Sequence, residues 1–92
     1  DMATIQQFRA AWDASAKDDR SAAIALADQY VAENAAMLEA VFGGKSIAEL
    51  CDLVSAFRMA GNTAMADAAT AWELVKFPRQ QIGGNVRPGG AR

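Results

Sequence analysis

Histidine is absent from the 92 residues. That removes the commonest general acid–base side chain and the commonest transition-metal ligand together. Cysteine occurs once, at Cys51, so no disulfide can close within the chain. The two prolines are Pro78 and Pro88, so no proline interrupts a helix before residue 78. Long apolar runs are missing too. The longest is Ala22–Ala27, and four of its six residues are alanine. A membrane helix needs about 20 apolar residues, so no membrane partner is expected. The N-terminus lacks a basic stretch followed by an apolar run, and the expectation is a cytoplasmic chain, or host cytoplasm if phage-encoded. Asp1 before Met2 reads as a remnant ahead of the natural start.

What is abundant is alanine. Twenty-two alanines and 26 larger apolar residues, Cys51 included, make up the 52% hydrophobic content. Alanine has the highest helix propensity but buries little surface. A chain this short buries roughly 60–65% of its unfolded surface. The reading is one small helical domain. Such an alanine-rich composition is typical of high-GC bacteria and their phages, and it implies no activity.

Charge is unevenly placed. Residues 1–77 hold six basic and eleven acidic side chains, a net of −5. Residues 78–92 hold Arg79, Arg87 and Arg92 with no acid, a net of +3. The same fifteen positions include four glycines and two prolines, a composition that reads as an irregular arm. The expected organisation is a helical bundle over 1–77 and a basic C-terminal arm over 78–92.

Periodicity predicts the helices. Ile5, Phe8 and Trp12 share a face of a first helix, about Ile5–Ser15, with Thr4 and Gln7 as a capping box. Residues 17–21 are polar and predict a break, with Asp18 as N-cap; the competing reading is one helix from Ile5 to Phe42. A second helix is expected over about Asp19–Phe42. It carries Ile24, Val31 and Leu38 every seven residues, and a second stripe of Leu26, Tyr30 and Met37. That wide apolar surface makes it the expected central element. Gly43 and Gly44 end it. Ser46 and Glu49 form a second capping box and open a third helix, about Ile47–Met59. Its stripe is Ile47, Leu50, Cys51, Val54 and Phe57. Gly61-Asn62 breaks the chain before a fourth helix, about Ala64–Phe77, with Met65, Ala68, Ala69, Trp72 and Val75 on one face. The expected fold is all-α: a three- or four-helix bundle, the last two helices forming an antiparallel hairpin.

Each chemical motif has a plainer reading. Gly44-Lys45-Ser46 resembles the end of a phosphate-binding loop, but that loop needs glycine where Glu39 stands. A helix C-cap followed by an N-cap explains it. Cys51 lies on an apolar stripe beside Asp52, which suits a small buried residue better than a nucleophile. Glu49, Asp52 and Asp28 read as solvated helix faces. A helix-turn-helix would place Thr63, Ala64, Met65, Asp67 and Ala68 against DNA, and acidic, alanine-rich turns are repelled by phosphate.

The expectation is therefore a non-enzymatic protein-interaction module that binds another protein or a second copy of itself, as a homodimer for instance. No catalytic residue, cofactor, metal or small-molecule substrate is expected. The candidate interaction residues are Trp12, Tyr30, Met37, Trp72, Arg79, Gln80, Ile82 and Arg87; for the two tryptophans, which lie on apolar helix faces, a core position is the plainer reading. The alternative is nucleic-acid binding or virion assembly through the basic arm.

Overall fold

A computed structural model describes residues 2–78. The described chain is all-α, in five helices: α1 (Ile5–Ala14), α2 (Ser21–Glu33), α3 (Ala35–Phe42), α4 (Ile47–Met59) and α5 (Thr63–Lys76).

The helix starts follow their caps. The Thr4 hydroxyl accepts from the Gln7 N–H at 3.1 Å, and the Gln7 side chain accepts from the Thr4 N–H at 2.9 Å. Ser46 and Glu49 repeat the exchange at the start of α4, at 3.1 and 2.8 Å. The Asn62 side chain caps α5 by accepting from the Met65 N–H at 3.2 Å. Each bond satisfies a backbone donor that the first helical turn leaves open.

The break after α1 is real, which excludes a continuous helix from Ile5 to Phe42. Ala16–Asp19 close a turn, with the Asp19 N–H donating to the Ala16 carbonyl at 3.1 Å. Asp19, rather than Asp18, then receives the start of α2. Its carboxylate accepts from the Ser21 hydroxyl at 2.6 Å and the Ser21 N–H at 3.2 Å.

The segment expected as one helix to Phe42 divides at Asn34. The Asn34 amide donates to the Tyr30 carbonyl at 2.9 Å, beside the backbone bond from its own N–H to the same oxygen at 3.0 Å. A short amide side chain competes in this way with the helical ladder.

The glycine turns serve two geometries. Gly44, at φ +79°, ends α3, and Gly61, at φ +80°, ends α4. After α4 the Asn62 N–H donates to the Phe57 carbonyl and the Gly61 N–H to the Arg58 carbonyl, at 2.8 and 3.0 Å. This Schellman pairing turns the chain within three residues. Helices α4 and α5 then pack against each other as the expected hairpin.

The centre of the bundle is α5, not the long second segment. It packs against all four other helices. Ala66, Asp67, Ala68, Ala69, Ala71, Trp72, Glu73 and Leu74 are all buried. Alanine explains the difference, because four small side chains let neighbouring backbones approach from several directions. Alanine is thus a core residue here. Ala3, Ala23, Ala27, Ala66, Ala68, Ala69 and Ala71 make up half of the fourteen buried apolar residues among those described. Phe8, Leu38, Phe42 and Leu50 are the largest fully buried side chains, and Val31, Trp72 and Leu74 complete the core. Each such side chain contributes about 1.5–3 kcal/mol on burial.

Candidate functional site

The expected interaction residues separate into three groups. Tyr30 and Met37 lie on the outer side of α2 and α3. Leu26 and Tyr30, one turn apart on α2, are half-buried at the edge of the core. Burial pushes the Tyr30 phenol up from its ordinary pKa. Met37 and Val41, one turn apart on α3, are 45% and 38% exposed. Of the stripe anticipated for the second helix, Leu26 and Tyr30 pack against the core and Met37 is exposed.

Trp12 and Trp72 are more enclosed. Trp12 is half-buried. Its ring meets Phe8 at 5.9 Å between centroids, and the Arg20 guanidinium stacks 3.8 Å from its centroid. Arg20 also donates to the Trp12 carbonyl at 3.0 Å, so it fastens the end of α1 to the start of α2. Trp72 is only 4% exposed. It packs on Phe42 at 6.4 Å, and the Lys76 ammonium lies 4.7 Å from its ring. Trp72 is consequently a core ring, in keeping with its place on the apolar face of the last helix, and not an open surface anchor. The burial follows from the central position of α5. Arg79, Gln80, Ile82 and Arg87 lie outside the described residues.

Several polar contacts have no simple sequence signal. Asp67 is buried in α5 and binds Arg9 of α1. Both Nε and Nη2 of Arg9 reach the same Asp67 oxygen, the Nε contact at 3.1 Å. Arg9 Nη1 meets Asp13 at 3.0 Å. The Asp67 hydrogen bond, foremost among these, holds the guanidinium more firmly protonated than usual. Fifty-eight positions separate the partners, so no local spacing predicts them. At the other end of α2, Glu33 accepts from the Ala3 N–H at 2.8 Å and from Gln29 at 3.1 Å.

Cys51 is exposed, not buried. It follows the seam residue Leu50 by one position, which rotates it about 100° away from the buried line. Its Sγ lies 4.0 Å from Glu73 Oε2. Partial desolvation, then the charges of Glu73 and Asp52, push the thiol up from its ordinary pKa. A thiol kept protonated is a poor nucleophile. Among the described residues no cluster of three potential metal ligands occurs, and no helix is long and apolar enough to cross a membrane.

One open pocket of about 380 Å³ lies where the end of α5 meets the α3–α4 turn. It is lined by Glu39, Gly44, Lys45, Trp72, Lys76 and Phe77. Its glycine turn is not a phosphate loop. The Ser46 hydroxyl caps α4, and Glu39 occupies the helical turn where that loop needs glycine. A Cβ at Gly43 would collide with the Glu39 carboxylate and carbonyl, so the bare backbone there makes room for the Glu39 side chain.

No family model, curated protein or solved structure matches this chain.

Proposed function

We propose that the chain is a non-enzymatic protein-interaction module that binds another protein or a second copy through the outer side of α2 and α3. The observation that carries this reading is the exposed pair Met37 and Val41, flanked along the chain by half-buried Leu26 and Tyr30. Scattered exposed apolar residues are ordinary on a surface, but adjacent ones bordering a core edge supply area that association can bury. Methionine adapts its shape to a partner at little cost. The small size of the bundle adds to the case, since a second subunit would extend its burial.

The test combines sedimentation across the micromolar range with affinity capture from native lysate. Full-length protein, a 1–78 truncation and the double variant Met37→Asp, Val41→Asp run side by side. The expected result is self-association or specific capture that the double variant abolishes. A monomer at every concentration, with captured proteins identical for wild type and double variant, would overturn the reading.

A second reading rests on the arm's composition, three arginines and no acid. It assigns nucleic-acid binding or virion assembly to residues 78–92. Nucleic-acid retention would then weaken steeply with salt and vanish in the 1–78 truncation. Salt-independent retention, or retention by the truncation, would count against it.

A further inference from the structure

We propose that the pocket between the end of α5 and the α3–α4 turn receives the C-terminal carboxylate of a partner polypeptide whose last side chain is apolar. The inference rests on the protein-interaction reading and gives it a second contact point, away from Met37 and Val41.

The pocket's charge is the first ground. Lys45 and Lys76 both line it, together with a single carboxylate, Glu39. Among the described residues neither lysine forms an ion pair, with Glu39 or with any other acid. Two ammoniums thus line one depression on a body whose residues 1–77 carry a net of −5. A carboxylate entering it meets ammonium donors, whose charge-assisted hydrogen bonds to carboxylates are the strong kind.

The pocket's apolar surface is the second ground. Trp72 contributes a ring edge and Phe77 a half-buried ring beside the two ammoniums. Lys76 already lies over the Trp72 ring at 4.7 Å, so an anion drawn to Lys76 brings its attached group onto the aromatics. Gly44 lines the pocket too, and a Cβ there would meet only open space beyond its chain neighbours.

Glu39 supplies the third ground, because it selects between kinds of carboxylate. Its side chain folds back against Gly43 at the pocket wall, where it can accept an N–H. A simple aliphatic or aryl carboxylate offers no such donor. The last residue of a polypeptide offers all three features: a carboxylate, an amide N–H one bond from its Cα, and a side chain. A pocket of this size suits one terminal residue and part of the next.

The test uses the full chain and a defined probe, an acetylated tripeptide of two alanines and a terminal phenylalanine. Binding is read from the Trp72 indole N–H resonance, with Trp12 as the internal control. The free-acid peptide should shift the Trp72 signal in a saturable way. The C-terminally amidated peptide should bind at least about tenfold more weakly, and Lys76→Gln and Lys45→Gln should each weaken the free acid by about three- to tenfold. Glu39→Gln, which can still accept, should bind the peptide, while Glu39→Ala should lose the preference for peptide over phenylacetate. Equal binding of acid and amide, equal binding of phenylacetate by the wild type, or no Trp72 response up to about 5 mM peptide would each overturn the proposal. The Met37→Asp, Val41→Asp variant separates the two readings. Retained peptide binding with abolished association would break the link between the sites but leave the pocket standing. Lost peptide binding in Lys76→Gln, with association intact, shows the pocket acting apart from the α2–α3 surface.

Discussion

Helices α4 and α5 are almost the same length and adjacent in the chain, yet they sit in the bundle in opposite ways. Of the thirteen residues of α4, only Leu50 is buried. Of the fourteen of α5, eight are buried, two of them acidic. Helix α4 meets the bundle along one edge, through Leu50, Leu53, Val54 and Phe57, and leaves Met59 89% exposed. Helix α5 is enclosed by its neighbours. The lesson concerns side-chain volume. A helix with large apolar residues on one stripe can lie only on the outside of a small bundle. A helix whose several faces are alanine can be surrounded, because each neighbour's larger side chains fill the space its own methyl groups leave.

The enclosure of α5 has an electrostatic consequence, and it gives the largest expected effect. Asp67 is buried at 6% exposure with Arg9 as its partner. Arg9→Ala would strand a carboxylate inside the bundle and should cost about 3 kcal/mol in urea unfolding. Adding Asp67→Ala should recover part of that loss, since the two residues act through one contact. A loss below about 1 kcal/mol for Arg9→Ala would mean that Asp67 is effectively solvated, and that the enclosure setting α5 apart from α4 fails at this position.

The next prediction tests the volume argument directly. Ala69 of α5 is fully buried, while Ala56 of α4 is exposed. Ala69→Leu should destabilise by about 1–3 kcal/mol through overpacking. Ala56→Leu should stay within about 0.5 kcal/mol of wild type. If both changes are tolerated equally, the contrast between the two helices fails.

The same contrast explains what could and could not be read from the residues. Start and stop signals are local chemistry, so the capping boxes at Thr4 and Ser46, the break near Asp19 and the turns at Gly44 and Gly61 were legible. The all-α class followed from them and from the apolar spacing. The division at Asn34 was not, because alanines on both sides promise a continuous helix and one asparagine amide overrules them. The identity of the central helix was not either. The wide apolar surface of the second segment pointed to that segment instead, and the role of α5 emerges only when four neighbours close on it. At the candidate surface, the spacing of Tyr30 and Met37 indicated an apolar flank that the fold leaves partly open. Trp72 lay on the apolar face read for the last helix, and the enclosure of α5 buries it.

The smallest expected effect lies at the start of α4, where a local contact acts on a helix held along one edge. The Glu49 carboxylate accepts from the Ser46 N–H at 2.8 Å. That backbone bond first, then the Ser46 side chain and the nearby Lys45 charge, hold Glu49 below the usual carboxylate range. A folded-state pKa below the unfolded one means that the carboxylate favours folding wherever it is ionised in both states. This contribution is fully present above the unfolded pKa and is lost as pH falls through the folded value. The Glu49 titration midpoint, followed by NMR, should therefore lie lower in the native chain than in the urea-unfolded chain. Glu49→Gln keeps an acceptor for the Ser46 N–H but has no proton to bind, so it should fold and lose this part of the acid sensitivity. Asp19 provides the internal comparison, because its own carboxylate is lowered by the Ser21 hydroxyl and N–H. Its pH response should persist in Glu49→Gln. If acid sensitivity is unchanged in that variant, the capping box at Ser46 contributes nothing through charge, and α4 is held by its apolar edge alone.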